Sequence, residues 1–332
     1  SYLTIIYSIL EVIILLLIAL FVGVLIPGIE RKYVHARIQQ RIGPPVTSSG
    51  LWASIKFLYK ENIKPNSPVP GLYKAMPILC FIVVFLVFLA LIPFNYNFVL
   101  FSSLIAIVGF LKVEEIAYVL MGSLSKSVMS AGLRFPDHVK GAERLGTLTS
   151  YLEDISSNRS LRMIAFGSFP LYLALFIPAA LSGSVFLGDI VQYQQLHGPF
   201  IFTLSGIIGT VVFFIGLMIM LNEYPFSIVK AKADVIDGPY MEFASKYRTY
   251  IYVTRGFMIF TLSCLYGVLF LGIAPGLLNL HFILNIIVAL IFVLFMGVFS
   301  AFSPVFTNKQ FYPVVLVSSV IGALAVILGL LI

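Results

Sequence analysis

Glu11, Lys112, Glu114 and Glu115 are ionisable side chains standing inside apolar runs long enough to cross a bilayer. A charge in hydrocarbon is disfavoured, so each is first read as a functional group, and the chemistry open to such groups is the carriage of protons or ions. Glu11 lies nine residues into the first run, roughly 14 Å at helical rise, which predicts a position near mid-depth. Lys112 and Glu115 are three apart and share a helical face, where they can pair. The plain alternative has Lys112 snorkelling and the two glutamates reaching the inner headgroups. The cysteines, Cys80 and Cys264, lie far apart in apolar runs, with no CxxC and no cluster-binding spacing. The four histidines are scattered, so the chain is expected to hold no cofactor or metal of its own.

The elements that position these groups follow from composition. Sixty per cent of the residues are hydrophobic and 11% charged, more apolar surface than a water-soluble core needs. The expected fold is therefore all-α, a single integral membrane domain over 1–332 with about eight spans. Their expected bounds are 2–27, 78–93, 98–121, 163–181, 200–221, 250–273, 282–302 and 312–331. Pro27-Gly28 is expected to end the first span, and Pro170 and Pro178 to kink the fourth. The polar stretches 28–76, 122–162, 222–249 and 303–311 then fall on one side. With the third stretch carried on to Arg255, they hold 20 of the 21 Lys and Arg, while the opposite connections carry Asp189 and no basic residue. Basic residues stay on the cytoplasmic side, so the threading predicts a multi-pass protein of the cell membrane with both termini outside. A net charge of +7 is explained by the same bias and calls for no nucleic acid. Leu51 to Tyr59 puts Leu51, Ile55, Leu58 and Tyr59 on one face and Lys56 and Lys60 on another, the pattern of an amphipathic helix lying in the interface or solvated in a cytoplasmic loop.

Two stretches carry a family resemblance. Glu30 to Glu61, ERKYVHARIQQRIGPPVTSSGLWASIKFLYKE, resembles the first cytoplasmic loop of the complex I membrane subunit 1, which joins the peripheral redox arm to the membrane arm. Pro225 to Ser245, PFSIVKAKADVIDGPYMEFAS, aligns without a gap to the family's PFDxPEAExELVxGYxTEYSG. Pro225, Phe226, Ala231, Gly238 and Glu242 stand where the family has the same residue, and Asp234 is an acid for an acid. A weaker match places Arg144 and Glu153 at the nine-residue step of GGLRxxxQxISYE, whose last acid opens a proton path in relatives; a surface Arg–Glu pair is the plain alternative.

The departures narrow the branch. Ser227, Lys230 and Lys232 replace acids, Glu223 stands where relatives usually have arginine, and Met220 replaces a glutamate. Between Gly50 and Lys56 the chain is about one helical turn shorter than quinone-reducing relatives. Those lost groups line the quinone cavity in relatives, so the resemblance implies the membrane-bound hydrogenase or sulfur reductase branch. It implies a membrane anchor and coupling subunit without catalysis of its own. Iron–sulfur clusters and a metal centre are expected in partner chains: peripheral redox-arm subunits, with antiporter-like membrane subunits alongside. Glu30, Arg31, Arg37, Arg41, Lys56, Lys60, Pro225, Phe226 and Gly238 are the docking-loop candidates. Glu11, Lys112, Glu114, Glu115, Arg144, Glu153, Asp234 and Glu242 are the ion-coupling candidates. The alternatives are a quinone-site subunit and a stand-alone secondary transporter; the latter predicts paired inverted repeats, and no matching half stands out.

Overall fold

The first apolar run does not stop at Pro27. In the structure, a computed structural model that describes residues 2–63, 67–125 and 151–332 (side chains of 151, 233 and 234 excepted), helix α1 (Tyr2–Ile29) carries Pro27 inside it. It runs on through a π-helical turn, Glu30–His35, to Ile38 as one 37-residue rod. A proline removes one donor from the ladder, yet the helical backbone continues past it into the π turn. That turn also brings residues five apart into register, and His35 Nε2 lies 3.3 Å from Glu30 Oε1. Gly28 is a packing position instead of a break. A Cβ there would stand 1.6 Å from the Val46 carbonyl oxygen, where the returning basic loop lies against α1.

After the short helix α2 (Ala53–Leu58), the chain forms α3 (Pro70–Leu91), α4 (Leu104–Ser123), α5 (Tyr151–Arg162) and α6 (Phe169–Ser182). Then come α7 (Leu187–His197), α8 (Leu204–Met220), α9 (Ser245–Tyr266), α10 (His281–Phe302) and α11 (Asn308–Leu331). Among the described residues six rods are long and apolar enough to cross a membrane: α1, α3, α5 continued into α6, α9, α10 and α11. Helix α4 matches them in length at 20 residues but carries Lys112, Glu114 and Glu115. Helix α8 is shorter at 17 residues, still within the spanning range. The protein is all-helical and multi-pass; among the described residues the β structure is one isolated bridge, Ser103 to Phe186.

The stretch 122–162, expected as a polar loop, is helical over Tyr151–Arg162 and joins α6 through a π turn, Met163–Gly167. Its serines explain this. Ser157 Oγ donates to the Val119 carbonyl at 2.9 Å and Ser156 Oγ to that of Val229 at 3.0 Å. The polar face of α5 is thus turned inward against α4 and the third loop.

Helix α9 is the axis of the bundle and its most enclosed span. Lipid offers no hydrophobic drive between helices, so close packing at small residues holds them. Where α1 crosses α9, Gly23 meets Gly256, and a Cβ on Gly256 would lie 1.9 Å from the Gly23 oxygen. Helix α3 adds aromatic contacts, with the Phe88 and Phe257 rings 5.5 Å apart. The two ends of the bundle differ in kind. At one, Ser245 Oγ donates to the Lys60 carbonyl at 2.8 Å and Phe306 N to that of Pro225 at 2.9 Å, so the first and third basic loops and the α10–α11 connection gather there. At the other, Leu277 N reaches Glu11, Phe186 meets Ser103, and Gly329 lies against Ala180 and Leu181.

Candidate functional site

Midway along α4, Lys112 and Glu115 form the pair their spacing predicts, Nζ to Oε2 at 2.9 Å. The π turn and α6 supply the rest of the cage. Lys112 Nζ donates to Ser168 Oγ at 2.7 Å and lies 5.0 Å from the centre of the Tyr172 ring. The Tyr172 hydroxyl donates to Glu115 at 3.4 Å. Lys112 is therefore held at its own depth and does not snorkel to an end of the span.

Glu114, the residue before Glu115, lines with it a cavity of about 60 Å³. A water needs on the order of 10–15 Å³, so the space fits a few waters. Its polar lining includes Glu114, Glu115, Tyr118, Ser168, Tyr240 and Arg255. Water beside buried carboxylates, phenols and a guanidinium can pass protons.

Sequence reasoning did not single out Arg255. It stands on α9 and pairs with Glu223, which is itself buried. The arginine that the resemblance would place at 223 is thus supplied from another element, with its acid at 223 instead. The signal was present, because the rule that marked Glu11 and Lys112 applies to Arg255, five residues inside the expected span 250–273. Lys230, in the third loop, sits over the Tyr240 ring at 6.0 Å. Burial and the nearby Arg255 push its ammonium down to about 7, with Glu223 opposing. The Tyr240 ring meets Tyr118 edge-on at 5.4 Å, and burial holds its phenol well above the ordinary range, so it stays protonated.

A second group of acids lies at the C-terminal end of α4. Glu153 on α5 is fully buried, and Ser125 Oγ donates to its carboxylate at 3.4 Å. The Tyr73 hydroxyl of α3 faces Ser125, with Glu153 and Glu242 within electrostatic range. Eight residues of α4 separate Gly122, beside Glu153, from Glu114, roughly 12 Å of helix. Arg144 and the side chain of Asp234 lie outside the described residues.

Glu11 stands apart from both groups. It accepts from Leu277 N at 3.1 Å in the connection after α9, at the end of the bundle opposite the basic loops. Mid-depth was expected because the first span was counted from Tyr2, but α1 continues well past Pro27. Of the docking-loop candidates, Arg31, Arg37, Arg41, Lys56 and Lys60 are exposed at the basic end, and Glu30 is half-buried against His35. Pro225, Phe226 and Gly238 are interior. Phe226 packs between Phe306 and Phe311, and Gly238 takes a left-handed conformation with Val229 against it. The amphipathic stretch forms α2, docked on α9 by Thr249 Oγ1 to the Ser54 carbonyl at 2.9 Å and by stacking of Phe57 on Tyr252. Among the described residues no three of His, Cys, Asp and Glu gather as metal ligands.

The profile of the NADH dehydrogenase family matches residues 10–131 and 153–331. The chain belongs to the NADH dehydrogenase family. The family match passes over 132–152, where Arg144 falls, and resumes at Glu153. An uncharacterized protein of Methanocaldococcus jannaschii is 43% identical over 314 residues, 94% of this chain and 95% of that one. A putative NADH-ubiquinone oxidoreductase of the same organism is 28% identical over 254 residues, 76% of this chain and 74% of its own. Among solved structures, a chain of the membrane-bound sulfane sulfur reductase, an archaeal respiratory membrane complex, shares the fold. Its TM-score is 0.74 at 24% identity, covering 97% of this chain and 99% of that one.

Proposed function

We propose that this NADH dehydrogenase family member is the membrane anchor and coupling subunit of a complex I-like, ion-translocating respiratory assembly of the cell membrane, in the hydrogenase or sulfur reductase branch. Redox chemistry belongs to partner chains holding iron–sulfur clusters and a metal centre, docked on the exposed basic end, which faces the cytoplasm; both termini lie outside. The observation that carries this reading is the file of buried ionisable groups. It leads from Glu153 and the Glu223–Arg255 pair, past the Tyr118–Tyr240 contact and the small polar cavity, to Glu114 and the Lys112–Glu115 pair. Groups held in low dielectric change protonation when a neighbouring charge moves, so a redox event at the basic end is passed along the file to antiporter-like subunits in the membrane.

The test uses the intact complex in vesicles, with reduction and ion uptake read together. Glu115→Gln and Glu153→Gln keep shape and hydrogen bonding but remove the titration. Both variants are expected to assemble and to reduce the acceptor when uncoupled, while uptake falls on the order of 100-fold, as for loss of a proton-transfer group. Wild-type uptake in both would remove these acids from the path.

A further inference from the structure

Helices α6 and α11 lie side by side and run in the same direction. Along their contact Gly167 meets Phe311, Leu173 meets Gly322, and Ala180 meets Gly329. Beside that contact is an apolar groove, with Phe166 and Phe169 on one wall and Tyr312, Pro313, Leu316 and Ser319 on the other. From Tyr312 to Ser319 it follows α11 for roughly 10 Å. The Phe166 and Tyr312 rings meet edge-on, 5.8 Å apart, at the end nearer the basic loops. Just beyond that end stand two cations, Arg162 one turn before Phe166 and Lys309 one turn before Tyr312. Both are exposed, and neither forms an ion pair among the described residues. A trough that is apolar along its length and cationic at one end matches a molecule with an alkyl chain and an anionic head.

We propose that this groove binds an anionic phospholipid from the leaflet at the basic end. Its alkyl chain lies between Phe166, Phe169 and Leu316, and its phosphate between Arg162 and Lys309. The two cations line no part of the polar cavity, so the seat stands whether or not the buried file of charges carries protons. Charge and shape select the occupant. Basic side chains at the end of a span reach headgroup depth on their long stems, and tyrosine is suited to the same depth. Inorganic phosphate would engage the cations and leave the groove empty. A partner's membrane helix fits less well, because close helix packing needs small residues and both walls here carry large side chains. Each Lys or Arg near an anionic headgroup is worth roughly fivefold in affinity, so the pair gives a preference on the order of 30-fold over a zwitterionic lipid.

The intact complex is placed in phosphatidylcholine vesicles that hold a trace of phosphatidylglycerol or phosphatidylcholine bearing a diazirine on the alkyl chain. After illumination the labelled peptides are mapped by mass spectrometry, with Leu324, exposed on α11, as the control for bulk lipid. Phosphatidylglycerol is expected to label Phe166, Phe169 or Leu316 on the order of 30-fold more than phosphatidylcholine does, while the two label Leu324 equally. Arg162→Gln combined with Lys309→Gln removes both cations from exposed positions, so the fold is kept. The preference at the groove is then expected to fall to that at Leu324. Equal labelling by the two lipids in the wild-type complex overturns the proposal whatever the variant does, and so does a preference that survives the double variant. A photo-crosslinking residue at Leu316 tests the other occupant: linkage to a membrane-spanning peptide of another chain, without a lipid adduct, overturns the lipid seat. Added inorganic phosphate at constant ionic strength is expected to leave phosphatidylglycerol labelling unchanged; loss of the label would assign the cations to a soluble anion and overturn it as well.

Discussion

Lys230 shows how a departure in sequence becomes a property of the site. It stands where relatives carry an acid, beside Arg255, with Glu223 as the nearby anion and Tyr240 beneath it. Its folded value of about 7 lies below the ordinary 10.5. Between those values the unfolded chain binds more protons than the native one, so native stability rises with pH across that window. Lys230→Met is thus expected to raise the thermal midpoint of the complex most at pH 6. The gain should fade as pH climbs toward 10.5. Lys230 is only half-buried, so the effect is smaller than full burial would give. Midpoints of both proteins across that pH range check it, and a gain independent of pH would assign the effect to packing.

Among the elements, the α1–α9 crossing decides whether the bundle closes. Backbone meets backbone at Gly23 and Gly256, and nothing there is a flexible side chain that could swing aside. Gly256→Leu is expected to force the helices apart at a cost of about 1–3 kcal/mol or more, lowering the thermal midpoint. Arg255, next to it, would move with α9, so the polar cavity should change as well. Gly71→Leu is the control, since nothing lies within 4 Å of a Cβ there. Equal midpoints for the two variants would mean the crossing is not tight. The same logic explains α5, whose polar residues read as a loop until their serines are seen bonded to carbonyls of α4 and the third loop.

For the molecule as a whole, the lining of the cavity bears on the rival functions. About 60 Å³ lined by carboxylates, phenols and a guanidinium suits water and protons. Quinone analogues are therefore expected to leave turnover of the complex unchanged; inhibition mapped to residues of this cavity would restore the quinone-site reading. The basic end, with Arg31, Arg37, Arg41, Lys56 and Lys60 exposed and Trp52 and Tyr59 open beside them, has the mixed aromatic and arginine composition of a docking surface.

Local signals determined a great deal. Apolar run length foretold an all-helical, multi-pass protein, because hydrophobic length acts residue by residue. Spacing alone paired Lys112 with Glu115, since both lie on one turn of one helix. Two quoted loop motifs were enough to indicate the family. What no window of the chain contains is the neighbour from a distant element. Tertiary structure carried α1 past Pro27, set Glu11 at the end opposite the basic loops, and turned Phe226 and Gly238 inward. It also brought Arg255 to Glu223 across 32 residues of chain. A buried charge is tolerated only beside its partner, and which residue becomes that partner is decided by how the helices cross.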